Sequence, residues 1–212
     1  MNDPLGIRPL GDAFRAAYNF LLRGRRLRKL TEILLPIVPE AGHILDLGCG
    51  NGDLAAALQA RRPGLVFTGV DVPSARVCKI PCTFYDGSKI PFPDASFDYV
   101  MLITVLHHTD DFRPILKEAR RVARKGIILH DQKYSTRLDW LKLAIIDWPG
   151  NVPFGVYTPY NYKTRPEWLA LYAELDLQER NFNDDIHFFG WFLNPILGQR
   201  LHFVSILDKP SP

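Results

Sequence analysis

A chain of 212 residues with 47% hydrophobic and 23% charged side chains has the make-up of a folded soluble protein, long enough for one domain with a sizeable core. That composition excludes disorder, collagen and coiled coil as the main state. With 26 basic against 23 acidic residues the net charge is only +3, too little to imply a nucleic-acid partner by itself.

Residues 12–35 carry helical periodicity. Phe14, Ala17, Tyr18, Leu21 and Leu22 form one apolar stripe, and Leu27, Leu30, Ile33 and Leu34 another. Arg23-Gly24-Arg25-Arg26 lies between them, which predicts two helices or one broken at Gly24. Residues 43–47 read as a short buried strand and residues 48–52 as a glycine loop. Residues 53–58 open a helix, with the negative charge of Asp53 in the first turn, where it suits the helix dipole. Further strands are expected at 66–70, ending at Asp71, at 82–85 and at 98–103. Residues 114–123 form a helix with Ile115, Leu116, Ala119 and Val122 facing in. A fifth strand, 126–129, ends at His130-Asp131. Beyond it the pattern predicts a helix over 138–146, a Pro/Gly/Tyr-rich loop over 149–164 and a helix over 166–175 with Pro166 in its first turn. Residues 177–182 and 201–207 close the sheet, the last as an antiparallel edge. Strands alternating with helices argue for a parallel sheet covered on both faces, as do strands that are apolar throughout.

The glycine loop is the most informative stretch. Such a loop between a strand and a helix brings backbone close to a ligand. A dinucleotide fingerprint requires a third glycine three positions after the second, where Asp53 stands; the glycines here are Gly48, Gly50 and Gly52. An acidic residue opening the helix repels a pyrophosphate, and no Lys-Ser/Thr pair follows, so a P-loop is excluded too. What remains is a ligand with a ribose and a positive or zwitterionic end. Asp71, about 20 residues downstream at the tip of the next strand, is placed to take both ribose hydroxyls. Asp46 is placed to accept from an amino group, directly or through water.

Asp46-Leu47-Gly48-Cys49-Gly50-Asn51-Gly52 followed by Gly69-Val70-Asp71 resembles motifs I and II of class I S-adenosylmethionine-dependent methyltransferases. Residues 85–98, from Tyr85-Asp86-Gly87 through Ile90-Pro91-Phe92 to Phe97-Asp98, resemble the D-x-x-x-L-P-F-x-x-x-x-F-D stretch of the type 11 subgroup. Val105-Leu106-His107-His108 is similar to that subgroup's ending of strand four, and the resemblance covers residues 27–131. It implies an α/β, doubly wound, mostly parallel seven-stranded sheet of Rossmann-like methyltransferase type with N-terminal helices. A single domain over 1–212 is expected, with a helical cap at 1–40 and an acceptor-side insertion at 132–175. The implied cofactor is S-adenosylmethionine. In that scheme Gly48 and Gly50 let the loop pass under its methionine part and Asp71 holds the ribose. Val72 packs on the adenine, Asp86 receives the adenine amino group with Gly87 backbone beside the ring, and backbone near Ile103 or Thr104 holds the methionine end. One departure stands out. The stretch 72–81, bounded by Pro73 and Pro81, is shorter than the usual helix there and is expected to be reduced to a turn.

Methyl transfer is an in-line displacement in which the protein positions the acceptor and removes its proton. His108, His130 and Asp131, at the ends of strands four and five, are the candidate catalytic groups; a histidine titrates near neutrality. The bland alternative is that His107 or His108 only caps the next segment and that the acceptor needs no base. Trp148, Phe154, Tyr157, Tyr160 and Tyr162 either line an acceptor pocket or fill a core, and Asn161-Tyr162 offer hydrogen bonds. Arg23, Arg25, Arg26, Arg28 and Lys29 form a basic run, read as the wet face of a helix rather than a nucleic-acid or membrane patch. Three cysteines give no disulfide framework and fit a reducing, cytoplasmic setting. Cys78 and Cys82 lack a second ligand pair, so packing thiols and no metal are expected. Met1-Asn2-Asp3-Pro4 opens no signal peptide, and no run reaches the ~20 apolar residues of a membrane span. The expected function is methyl transfer to an oxygen, nitrogen or carbon of a small, partly hydrophobic acceptor. The alternatives are an RNA or protein methyltransferase, or a cofactor-binding protein of the same fold without methyl transfer.

Overall fold

In the computed structural model, residues 24–73, 77–152, 155–188 and 200–210 are described. The apolar runs become the middle of a sheet. Its parallel part consists of β1 (Ala41–Leu47), β2 (Gly64–Asp71), β3 (Cys82–Phe84), β4 (Phe97–Ile103) and β5 (Ala123–Tyr134). A two-residue strand, β6 (Lys163–Thr164), pairs with the far end of β5 at Lys133 and Tyr134. The chain then adds β7 (Gln178–Asn183) and β8 (His202–Asp208), giving the order β3-β2-β1-β4-β5-β8-β7.

The expectation that residues 201–207 form the sheet's edge is corrected here. β8 lies between β5 and β7, antiparallel to both. His202 through Leu207 are all buried, which requires a neighbour on each side, whereas Gln178-Glu179-Arg180-Asn181-Phe182-Asn183 of β7 is polar and tolerates the open edge.

Helices cover both faces. α1 (Gly24–Leu34) and α2 (Asp53–Arg61) lie over one core, where Leu34 and Leu58 meet Phe67, Met101, Ile128 and Val204. On the opposite face α3 (Arg113–Val122) and, after it, α5 (Arg165–Glu174) cover Leu47, Leu102, Leu129 and Phe203 with Leu116, Ala119 and Trp168. The predicted stripe from Phe14 to Leu22 falls outside the described residues, while the second stripe forms α1.

Between them α4 (Arg137–Asn151) extends five residues beyond the expected helix end and takes in Pro149, so the loop expected from residue 149 begins later. The helix starts firmly: the Thr136 hydroxyl accepts from the Asp139 N–H, and the Asp139 carboxylate accepts from the Thr136 N–H. Pro149 lies in its last turn and lacks the N–H that a helical residue there would donate to the carbonyl four positions back. Leu138, Leu141, Ile145 and Trp148 of α4 form an exposed stripe at helical spacing. Residues 72–73 and 77–81, joining β2 to β3, contain no helix. Among the described residues no helix is long and apolar enough to cross a membrane.

Candidate active site

In this strand order the connections leave β1 in opposite directions, so a crevice opens at the carboxyl ends of β1 and β4, where open α/β sheets take their ligands. Past Leu47 the chain turns through Gly48, Gly50 and Gly52, with φ of +77°, +58° and +70°. At Gly48 the requirement is also steric: a Cβ there would stand 2.6 Å from Cγ2 of Val105. The Gly50 N–H donates to Oδ2 of Asp71 at 2.6 Å, and the Val72 N–H donates to Oδ1 at 2.8 Å. The tip of β2 is thus tied to the middle of the glycine loop.

Asp46 is buried one strand away. Burial, with the charge of Asp71 adding to it, pushes its pKa up to about 7. Two carboxylates in one place, one of them reluctant to ionise, make a site that a cationic or zwitterionic group would relieve. The donor set therefore fits the amino-acid and ribose parts of S-adenosylmethionine.

The tip of β3 joins this rim, because the Tyr85 N–H donates to the Asp71 carbonyl at 3.0 Å. Asp86 is exposed, and its Oδ1 accepts from the Ser88 hydroxyl at 2.6 Å and the Ser88 N–H at 2.9 Å, which hold the carboxyl below the usual range. Gly87, at φ +87°, faces Val72: a Cβ there would lie 4.0 Å from Val72 Cγ1. Val72 itself is exposed. At the end of β4, Thr104 has φ +56°, an outlier for a β-branched residue. Its N–H donates to the His130 carbonyl at 2.7 Å and its hydroxyl to the Ile103 carbonyl at 2.6 Å. Asp46, Gly48, Gly50, Asp71, Val72, Asp86, Gly87 and Ile103 accordingly gather at the carboxyl ends of four adjacent strands.

The three candidate catalytic residues part company. Asp131 is buried and accepts from Nδ1 of His107 at 2.7 Å and from the N–H groups of Gln132 at 2.9 Å and Leu106 at 3.0 Å. Burial opposes its ionisation, but His107 and these donors outweigh that and keep the carboxyl below its usual range. His107, rather than His108, is its partner. The network continues inward: His107 Nε2 lies 3.8 Å from Asp147, whose Oδ2 accepts from the Tyr162 hydroxyl at 2.6 Å and whose Oδ1 accepts from Gln132 at 3.1 Å. Sequence reasoning passed over Asp147 and Gln132. The available signal was a lone carboxylate in the apolar run Leu143-Ala144-Ile145-Ile146-Asp147-Trp148.

His130 points to the other face of β5. It is fully buried, stacks on His202 with ring centroids 5.6 Å apart and meets Phe188 edge-on, and neither nitrogen has a partner among the described residues. Burial, then His202 and Arg26, keep it uncharged. His108 is half-buried, and its pKa is pulled down to about 4 by burial and by His107. Its Nδ1 donates to the Tyr157 carbonyl at 2.9 Å, which leaves Nε2 as the proton acceptor.

The aromatic residues divide as well. Tyr162 is buried and belongs to a core cluster, and it packs with half-buried Tyr160 and exposed Trp140 at ring centroids 6.2–6.4 Å apart. Tyr157 and Trp148 are exposed, Tyr157 donating to Asp110 at 2.8 Å, and Phe154 falls outside the described residues. The Asn161 amide is held on the carbonyls of Thr109 and Asp110, each at 2.9 Å. Of the basic run, Arg25 and Arg28 are exposed, Lys29 pairs with Glu32 at 3.7 Å and Arg26 lies over Phe188, which is largely the wet helix face expected. Cys78 and Cys82, expected only as packing thiols, converge with Cys49.

Residues 45–130 match the family described as Methyltransferase domain. The chain is 32% identical over 113 residues to 27-O-demethylrifamycin SV methyltransferase of Amycolatopsis mediterranei, covering 46% of this chain and 41% of that protein. It is 34% identical over 107 residues to demethylmenaquinone methyltransferase of Thermotoga maritima, covering 47% and 46%. The chain thus spans less than half the length of these curated relatives. Among solved structures, one chain of the complex between the Haloferax volcanii Trm112 methyltransferase activator and a methyltransferase superposes with a TM-score of 0.68 at 16% identity, covering 95% of this chain and 98% of that one. An S-adenosylmethionine-dependent methyltransferase of Methanosarcina mazei gives 0.60 at 21% identity, covering 85% and 98%. At these identities the structures speak for the fold alone, which is Rossmann-like. Residues 45–130 are thus similar to class I S-adenosylmethionine-dependent methyltransferase domains of the type 11 family. S-adenosylmethionine is the cofactor of that class.

Proposed function

We propose that the protein transfers a methyl group from S-adenosylmethionine to an oxygen, nitrogen or carbon atom of a small, partly hydrophobic acceptor. The observation that carries this reading is the bond between Gly50 and Asp71 inside the family-matched segment. Each Asp71 oxygen already accepts one backbone N–H. A carboxylate has about four lone-pair sites, so two remain for the two ribose hydroxyls. Asp46 would take the amino group, Val72 and Gly87 would flank the adenine, and Asp86 would receive its amino group. Backbone at Ile103 and Thr104 would hold the methionine end. When bound, the cofactor supplies a methyl on a sulfonium, open to in-line displacement.

His108 is our candidate proton acceptor. Its Nε2 lone pair is set by the bond at Nδ1, and with a pKa of about 4 it is a weak base that stays neutral at physiological pH. Such a base suits an acceptor that is already nucleophilic. We read Asp131 as a positioning residue acting through His107, and His130 as part of an apolar wall. The relatives named for demethylrifamycin and demethylmenaquinone support a small-molecule acceptor. We take residues 132–175 as the acceptor side of a single domain, and the odd number of cysteines supports a reducing, cytoplasmic setting.

Calorimetry with S-adenosylmethionine and its demethylated product tests the first half, and radiolabelled methyl transfer to a panel of phenols, quinols and amines tests the second. Binding with transfer to a panel member is the expected result. No heat at millimolar cofactor would overturn the reading. Transfer only to RNA or protein would replace the acceptor class, and binding without any transfer would leave a cofactor-binding protein.

A further inference from the structure

We propose that Cys49, Cys78 and Cys82 form a site for one thiophilic d10 cation, with Zn2+ as its representative, against the underside of the glycine loop. These are all three cysteines of the chain, and they arrive from the glycine loop, from the β2–β3 connection and from β3. The Cys49 Sγ lies 3.7 Å from that of Cys78 and 3.5 Å from that of Cys82, and all three sulfurs fall within 4.8 Å of one another. Tetrahedral ligation with Zn–S bonds of about 2.3 Å sets sulfurs about 3.8 Å apart. Closing on a cation therefore asks for sulfur shifts of about 1 Å or less, not a rearrangement.

Two further features favour a cation over mere packing. Buried thiols behave as small hydrophobes, yet all three here are part-exposed and reachable. Room is provided by Gly69: a Cβ there would stand 2.6 Å from the Cys49 sulfur, and Gly69 is also the β2 residue in register with Cys82.

The balance is simple. Binding Zn2+ breaks three S–H bonds, forms three Zn–S bonds and releases three protons, with no change of oxidation state. The cation would fasten the β2–β3 connection to the loop, adding to the backbone bond from the Lys79 N–H to the Asn51 carbonyl at 2.9 Å.

The test needs no cofactor, so its failure is separable from failure of the methyltransferase reading. Reduced, chelator-treated protein is titrated with Co2+ and followed by absorbance, then with Zn2+. The expected result is a sulfur-to-cobalt charge-transfer band saturating at one Co2+ per chain and bleached by Zn2+, with the three thiols protected from a disulfide reagent. Cys78→Ser and Cys82→Ser should each weaken Zn2+ binding at least tenfold. Absence of the band in the wild-type protein, with thiol reactivity unchanged by Zn2+, would overturn the proposal. So would Zn2+ affinity that survives both serine substitutions.

Discussion

The Asp71 carboxylate accepts a 2.6 Å hydrogen bond from the Gly50 N–H, 21 residues upstream. That bond joins the carboxylate proposed to hold the ribose to the loop proposed to pass beneath the cofactor, and it is charge-assisted, hence stronger than an ordinary amide bond. Asp71→Ala removes both the tether and the ribose contacts. S-adenosylmethionine affinity should fall by about a hundredfold or more, from losing charged hydrogen bonds of about 1.5–3 kcal/mol each. Isothermal titration reads this directly, and near wild-type affinity would refute the assignment.

Asp46 combines a stability cost with a proposed binding role. Its carboxyl is raised from an ordinary 3.8 to about 7, so the folded state holds a proton that the unfolded chain has lost. Its contribution to stability is therefore present below about pH 4 and is lost progressively as pH rises to 7. Asp46→Asn should raise the melting temperature at pH 8 more than at pH 5, by an amount on the order of 2–4 kcal/mol of unfolding free energy. The same change should weaken the cofactor. In the wild-type protein cofactor affinity should rise with pH through 7, with proton release detectable by calorimetry in buffers of different ionisation enthalpy; Asp46→Asn should abolish that release.

Gly48 is held to glycine by two separate constraints. At φ +77° any other residue carries about 1–2 kcal/mol of backbone strain, and a Cβ would stand 2.6 Å from Val105 Cγ2. Gly48→Ala should destabilise the fold in urea. In the Val105→Ala background its additional cost should shrink by at least about 0.5 kcal/mol without vanishing, because the contact is relieved and the dihedral is not. Strict additivity would show that the contact carries no energy.

The network around His107 can be probed from its far end. Tyr162→Phe removes the 2.6 Å donor to Asp147 and leaves a buried carboxylate short of a partner, at about 1–3 kcal/mol. Asp131 is the opposite of Asp46: its folded pKa is depressed, so its contribution is present above the ordinary carboxylate value and lost as pH falls below it. Asp131→Asn should therefore destabilise the protein at pH 7 and flatten its acid unfolding below pH 4, as followed by circular dichroism.

Strands β1, β2 and β4 and helices α2 and α3 could be read from the chain because each bears a local signature: an unbroken apolar run, or apolar residues at helical spacing. The glycine loop and Asp71 were legible for a related reason, since a positive φ after a buried strand leaves few options for residue type. The order of β7 and β8 was less so. β8 runs antiparallel to both of its neighbours, and only its buried stretch from His202 to Leu207, set against the polar β7, shows which of the two strands needs two partners. α4 runs two residues past Pro149, where the sequence signal was for a break because proline lacks the N–H of a helical residue.

What the chain determined by itself is the layered α/β order and the acidic, glycine-rich rim, because strand tips and turn conformations follow from neighbours a few residues away. Tertiary structure alone decided which side chains meet. His130 and Asp131 are adjacent in sequence, yet a strand sends them to opposite faces, one to the His202 ring and the other to His107. Cys49 meets Cys78 and Cys82 only because parallel pairing of β1, β2 and β3 brings their ends together over Gly69. No periodicity within the chain encodes contacts across a sheet and its connections.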